Sequence, residues 1–496
     1  MKKHGGIQLA IAAVCGAFCA LCFDAPVAAP FLWAALAPFF VVLLKNKENK
    51  KFVFRLAAVF CGTLFLIYYA AFFSLDITQR AGDAAGWVKT LGWLGVSAVQ
   101  GAVLCAAIAA GMLVPCPEKW RVAPVCFFWA GAEWLYGVGA LGLPCVRLGL
   151  TQSGFLPAVQ GAALGGVMAT GVLLVAVNFL LAQAYLFLRA QKIRPFALFL
   201  AVAIGIFGGN LCWGTFRMAT VSQHAEPAQK VCAVQFNVSF PENGGEGRLE
   251  KAEAMAKQAA REEDPDWILL PENTANGSLL DDPALRETFA GIAREDGAYV
   301  LAGVYGVTGY RLRNSAFLIG ADGAVKDVYH KQRLVPFFEN GYETPFRWQA
   351  EMQPGVLKTQ NGSAGVLICF ESLFADAAAD TARAGAQAVF VLTNDSWFCG
   401  ETVPARHMAQ TTLRAVETGR YFVQAANTGI TAAVSPVGEV LGSLVPDTDG
   451  VLAVSIGFSP KDTPYLIGGD LWIAVLGVVC CALAVTAWCK KKKRSL

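Results

Sequence analysis

Charge is scarce in this chain: Asp, Glu, Lys and Arg make up 16% of its 496 residues, against 55% hydrophobic. That balance excludes an ordinary soluble enzyme. Histidine is scarcer still, with four residues (His4, His224, His330, His407); no H-E-x-x-H spacing occurs, and the one C-x-x-C spacing, Cys19-Ala-Leu-Cys22, lies inside an apolar run. Metal catalysis is therefore not expected, and no cofactor is called for. No 20–50-residue repeat, low-complexity tract or long disordered linker occurs, which removes the repeat architectures. Cysteine is not scarce, at fifteen residues. Most of these lie in or beside apolar runs, where the thiol acts as a small hydrophobe, so no disulfide framework is expected.

The apolar excess is gathered in runs long enough for a helix to cross roughly 30 Å of hydrocarbon. Eight are predicted: Ile7–Phe23, Ala28–Leu44, Phe52–Leu75, Trp87–Leu113, Val122–Leu141, Ala162–Leu188, Phe196–Trp213 and Leu466–Trp488. The first follows Lys2 and Lys3 as a cleaved signal segment would, but the runs that follow at once favour a retained helix. With the N-terminus in the cytoplasm, sixteen basic residues fall in the inner segments, against Arg80 and Arg147 in the short outer loops. This agrees with the positive-inside rule, and Lys89 is a minor dissent. Lys490–Lys493 with Arg494 then reads as a topology anchor, not a nucleic-acid patch. Residues 1–213 form a seven-helix membrane domain, 214–465 an extracytoplasmic domain, and 466–496 a last helix with a basic tail. The expected address is the inner (cytoplasmic) membrane, with the polar domain on the periplasmic side.

Within the polar domain, short β-rich runs alternate with helical ones. Strands are predicted at Val231–Phe236, Trp267–Leu270, Tyr299–Val304, Ser315–Ile319, Val325–Tyr329, Gly365–Ile368, Ala388–Leu392, Tyr421–Ala425 and Thr431–Val434. Helices are predicted at Arg248–Glu263, Pro283–Glu295, Ala377–Ala384 and Ala405–Thr418. Strands apolar at consecutive positions and separated by helices are covered on both faces, which implies a layered α/β domain.

Three apolar stretches end in reactive side chains: Trp267-Ile-Leu-Leu-Pro-Glu272, Tyr329-His-Lys331 and Gly365-Val-Leu-Ile-Cys369-Phe-Glu371. Each has an ordinary explanation: a structural ion pair, a surface lysine, an inert core thiol. Together they supply what acyl transfer needs. A neutral thiol needs a base, for which the sheltered Glu272 is suited. A cation beside the attacked carbonyl, Lys331, stabilises the oxyanion, and the backbone N–H of Phe370 is a second donor candidate. Cys232, Cys369 and Cys399 are the domain's cysteines, so at least one thiol stays unpaired on an oxidising face.

In chain order these residues resemble the Glu–Lys–Cys triad of the nitrilase (carbon–nitrogen hydrolase) superfamily. Lys331-Gln-Arg-Leu-Val-Pro-Phe-Phe-Glu339, Leu392-Thr-Asn-Asp-Ser-Trp397, Arg414-Ala-Val-Glu417-Thr-Gly-Arg420 and Asn427-Thr-Gly-Ile-Thr-Ala432 extend the likeness. The resemblance implies an αββα sandwich. Glu133-Trp-Leu135, Gly142-Leu-Pro144 and Leu148-Gly-Leu-Thr-Gln152 carry it into the membrane region, where the chain is similar to the apolipoprotein N-acyltransferase family. That family moves a fatty acyl chain from a phospholipid donor to the N-terminal amine of a diacylglyceryl-cysteine apolipoprotein acceptor. By this resemblance Glu272, Lys331 and Cys369 are catalytic. Glu339 and Glu371 are candidates for orienting Lys331, and Trp397 and Glu133 are substrate-binding candidates. Departures from the family pattern fall at Cys145 (usually Trp), Phe338 (Gly), Phe370 (Tyr) and Cys399 (Gly). Phe240 is the lone aromatic where a Trp is usual. The rival expectations are a membrane-anchored amidase acting on a small amide, and a non-catalytic membrane binding protein or transporter.

Overall fold

The computed structural model describes residues 2–77, 82–139, 141–221, 228–238, 247–308, 311–336, 338–339, 353–458 and 462–494. Arg80, His224 and Phe240 lie outside them.

Among the described residues, six helical segments are long and apolar enough to cross a membrane: Pro26–Lys45, Lys50–Ser74, Gly82–Leu113, Ala162–Arg189, Ile193–Thr220 and Leu471–Cys489. Two of the eight expected spans are shorter. The apolar stretch of the first helix is Gly5–Leu21. The fifth run yields a helix of 14 residues, Val122–Leu135, because Gly137, Gly139 and Gly142 follow and the chain turns there instead of continuing. The seventh helix runs on to Thr220, beyond Trp213. The last begins at Leu471, and a separate short helix covers Pro464–Gly468. Phe39, Phe60, Trp129 and Phe179 lie in one buried aromatic-rich core shared by these helices.

The polar region holds two six-stranded sheets. The first contains β1 (Ala228–Gln235), β2 (Trp267–Asn276), β3 (Tyr299–Thr308), β4 (Arg311–Ile319), β5 (Val325–His330) and β12 (Gly450–Gly457), in the order β12-β1-β2-β3-β4-β5. The second contains β6 (Val356–Thr359), β7 (Gly362–Ile368), β8 (Ala388–Thr393), β9 (Tyr421–Ala426), β10 (Ala432–Val434) and β11 (Val440–Ser443), in the order β11-β10-β9-β8-β7-β6. β1, β2 and β3 run parallel, as do β7, β8 and β9.

Side chains alternate across a strand, so a run apolar at every position must be covered twice. Trp267 and Leu269 of β2 join Phe390 and Leu392 of β8 and Tyr421 and Val423 of β9 in one core between the sheets. Ile268 and Leu270 face the other way, onto Ala252, Ala256 and Phe289 of the helices Arg248–Glu263 and Pro283–Asp296. Val389 and Val391 of β8 pack with Ala378 and Ala415, from helices Ala375–Arg383 and Thr402–Thr418. The layering resembles the expected αββα fold. β1 and β12 are antiparallel, pairing Ala228 with Gly457, so the strands at the two ends of the domain lie side by side.

The domain is also seated on the helices along its surface. Asp76 N donates to Trp397 O at 2.7 Å and Cys399 N to Ser74 O at 2.8 Å, flanking a bridge between Leu75 and Phe398. The long helix Ala162–Arg189 is broken at Gly165–Gly166. The freed Val167 N–H donates to Glu417 Oε1 at 2.7 Å, so a carboxylate of the polar domain caps the helix where it restarts.

Candidate active site

Glu272 sits within β2, where its pairing with β3 shifts register between Leu270 and Ala275. A bulge of this kind re-aims side chains at a sheet end, and Asn273 beside it has φ +61°. Gly303 of β3 makes room for it: a Cβ there would stand 2.6 Å from Glu272 Cα and collide with Pro271 O. Lys331 follows β5 and is tied to β4 by its N–H, which donates to Asn314 O at 2.8 Å. Cys369 follows β7 and opens a turn of 3₁₀ helix, Cys369–Leu373. Its φ is +50°, a left-handed conformation that costs a non-glycine residue about 1–3 kcal/mol and recurs at functional turns.

Lys331 Nζ lies 3.0 Å from Glu272 Oε1 and 2.9 Å from Glu339 Oε1, and all three side chains are buried. Asn314 Nδ2 donates to Glu272 Oε1 at 2.6 Å and to Glu339 Oε1 at 3.2 Å. Glu339 Oε2 accepts from Val335 N at 2.7 Å, which closes the loop around the ammonium. Burial alone would lower the Lys331 pKa, but the two carboxylates outweigh it and hold the pKa well above the usual lysine range. Lys331 is therefore a fixed cation.

The Cys369 thiol is pushed well above its ordinary range, first by burial and then by the Glu272 carboxylate, while Lys331 pulls the other way. Such a thiol rests protonated and needs a base at the moment of attack. The electrostatic coupling of Cys369 to both Glu272 and Lys331 unites the three expected catalytic residues at one place. Cys369, Cys232 and Cys399 are all free thiols.

Glu371 does not touch the Lys331 ammonium through any of its hydrogen bonds. Its Oε1 accepts from Tyr329 OH at 2.9 Å, Gln332 N at 2.7 Å and Arg333 N at 3.1 Å, and its Oε2 from Ile368 N at 2.8 Å. It thus ties the Tyr329 side chain and the backbone just after Lys331 to the strand that delivers Cys369. The Phe370 ring packs edge-on against Phe374, with centroids 5.2 Å apart. Trp397 packs edge-on against Phe338, next to Glu339, at 6.0 Å, in a cluster with Leu75, Ile77 and Ala85 from the helical region. Glu133 lies apart from this group. Its Oε1 accepts from Trp129 Nε1 and Leu148 N, both at 2.8 Å, and both partners belong to the helical region.

No motif singles out Asn314. Its only sequence signal is a polar side chain just before the apolar run Ser315–Ile319.

The Carbon-nitrogen hydrolase family matches residues 230–459, and the Apolipoprotein N-acyltransferase N-terminal domain matches residues 15–180. The chain belongs to the apolipoprotein N-acyltransferase family, within the carbon–nitrogen hydrolase superfamily. An apolipoprotein N-acyltransferase of Geobacter metallireducens is 27% identical over 96% of this chain and 94% of its own. One of Rhizobium meliloti is 28% identical over 76% of this chain and 73% of its own. Among solved structures, an amidase of Nesterenkonia sp. AN1 is 22% identical, with a TM-score of 0.40, over 49% of this chain and 98% of that one. Membership in the apolipoprotein N-acyltransferase family joins a multi-pass helical region to an enzyme domain of the carbon–nitrogen hydrolase class.

Proposed function

We propose that this chain transfers a fatty acyl group from a membrane phospholipid to the N-terminal α-amine of an S-diacylglyceryl-cysteine apolipoprotein, through a thioester on Cys369. The observation that carries the reading is the Lys331 ammonium fixed between Glu272 and Glu339 beside a strained, half-buried Cys369.

In the first half-reaction Glu272 takes the thiol proton as sulfur bonds to the ester carbonyl carbon. Lys331 and the Phe370 backbone N–H hold the oxyanion, a contribution of roughly 3–4 kcal/mol per donor. The carbonyl–oxygen bond to glycerol then breaks, and lysophospholipid leaves with the proton from Glu272. In the second half-reaction the acceptor's neutral amine attacks the thioester carbon. The carbon–sulfur bond breaks, an amide forms, and the amine's proton passes through Glu272 to sulfur. This is ping-pong chemistry. Apolar surroundings such as Trp397, Phe338 and Leu75 favour an acyl chain and keep water from the thioester.

The same reading completes the membrane layout. Gly5–Leu21 and Val122–Leu135 join the six long segments as further crossings, giving eight, with the N-terminus in the cytoplasm. Residues 1–213 are then the membrane unit, 214–465 the catalytic unit at the outer face of the inner membrane, and 466–496 the last crossing. The distribution of basic residues supports that orientation.

The test is mass analysis of lipoproteins from a deletion strain carrying either this chain or its Cys369→Ala variant. N-acylated lipoproteins with the first and free amines with the second are expected. Free amines with both would overturn the reading in favour of a small-amide hydrolase.

A further inference from the structure

One buried histidine plays no role in the chemistry above, although it touches the nucleophile's own backbone. His407, on the helix Thr402–Thr418, has its Nδ1 3.0 Å from Asp395 Oδ1. Its Nε2 lies 2.8 Å from Ser372 Oγ and 3.2 Å from the Cys369 carbonyl oxygen. Ser372 Oγ itself donates to that carbonyl at 2.9 Å. We propose that His407 is a positioning residue: with Ser372 it grips the Cys369 carbonyl and holds the nucleophile's backbone in the left-handed conformation that presents its thiol to Lys331 and Glu272.

The hydrogen-bond inventory sets the direction of each contact. Ser372 commits its one hydrogen to the Cys369 carbonyl, so the Nε2 side of the imidazole must donate, shared between Ser372 Oγ and Cys369 O. A carboxylate accepts only, so Nδ1 must donate to Asp395. Both ring nitrogens therefore carry hydrogen, and the ring is an imidazolium held by a buried carboxylate. Burial opposes that charge, while Asp395, the Cys369 carbonyl and the more distant Glu272 favour it, and the outcome is a raised pKa.

Asp395 is held in turn. Thr393 Oγ1 donates to its Oδ1 at 3.3 Å, and its own N–H donates to Thr428 O at 3.3 Å. Gly429, with φ +104°, leaves the space its other oxygen occupies, because a Cβ there would stand 2.6 Å from Asp395 Oδ2. The Thr393-Asn-Asp395 and Asn427-Thr-Gly429 stretches thus acquire a shared physical task. A non-glycine residue at φ +50° persists only when its surroundings over-determine it. Two donors on one carbonyl, braced by a buried carboxylate, do so.

The inference deepens the proposed acyl transfer but is tested without it. Alkylation of Cys369 by iodoacetamide reports thiol placement with no acyl donor present. A glutamine at 407 places its amide nitrogen near the Nε2 position and keeps the bond to Cys369 O, an asparagine mimics the Nδ1 side, and a leucine keeps only volume. His407→Gln is expected to alkylate within about fivefold of the unmodified protein, and His407→Asn and His407→Leu at least about 30-fold more slowly. Thioester formation should fall in the same order, through its rate constant and not through the KM for phospholipid. Equal losses in the Gln and Asn variants, or none in either, overturn the proposal. Should His407→Leu fail to fold, Ser372→Ala with His407→Asn decides. A combined loss larger than the product of the single losses supports two donors on one carbonyl, and a simple product overturns it. If acyl transfer is absent while the alkylation order holds, the positioning role stands and the acyltransferase reading fails.

Discussion

Arg406 grips Asp24 with both arms of its guanidinium, Nε to Oδ1 at 2.6 Å and Nη2 to Oδ2 at 2.7 Å, across 382 residues of sequence. Its Nη1 donates to Tyr68 O at 2.8 Å, and its Cζ lies over the Tyr68 ring, 3.9 Å from the centroid. The helix that carries His407 is therefore bolted to the helical region through the residue just before that histidine. Asp24 is partly exposed, so the pair is screened. A double-mutant cycle of Asp24→Asn and Arg406→Gln in detergent is expected to give a coupling of about 1 kcal/mol in thermal stability. Strict additivity would mean that the contact holds nothing together.

Replacing Lys331 by Met leaves two buried carboxylates facing each other without their cation. Loss of about 3–5 kcal/mol of stability is expected, with no detectable thioester. Adding Glu339→Gln to that variant should restore some of the stability and none of the activity. Equal stability of the single and double variants would show that the carboxylates are not strained against each other.

The strain at Cys369 can be measured directly. Glycine adopts φ +50° at no steric cost, so Cys369→Gly should be more stable than Cys369→Ala by about 1 kcal/mol. That is the reverse of the usual order of the two residues inside a regular element. Chemical denaturation of both inactive variants decides it.

The thiol's reactivity should follow pH with a definite sign. Its pKa is raised, so the thiolate fraction keeps climbing above the range where a free cysteine has levelled off. Iodoacetamide labelling of Cys369 is expected to rise about tenfold per pH unit between about pH 7 and 9. Because Lys331 lowers the thiol pKa, Lys331→Met should move the profile to still higher pH. A plateau near about pH 8, where an unperturbed thiol begins to level off, would contradict the half-buried, carboxylate-facing site.

Gly303→Ala drives a methyl into the bulge that holds Glu272. A loss of about 1–3 kcal/mol in stability and of about 100-fold in the thioester-forming rate is expected. Single-turnover measurement by intact-protein mass separates the two effects.

Much of this site is legible in the chain itself. Glu272 and Cys369 each end an apolar run that can only be a strand covered on both faces, and strand ends are where a fold presents side chains; Lys331 follows β5, a partly exposed strand at the sheet's edge. The same alternation explains why most strands and the four helices of the polar domain fall close to their predicted places. β6, β11 and β12 carry a weaker signal: β11 is largely exposed, and β6 and β12 are only partly buried, although β12 holds the short apolar run Val451-Leu-Ala-Val454.

What the residues alone determined was local: periodicity, strand ends, apolar length and the order of three reactive groups. Only the tertiary structure decided which distant groups share a bond. Asn314 reaches Glu272 across 42 residues, His407 reaches the Cys369 carbonyl across 38, and Arg406 reaches Asp24 across 382. Hydropathy and spacing record how each segment meets its surroundings, whereas a hydrogen bond between segments depends on chain closure, which no single segment encodes.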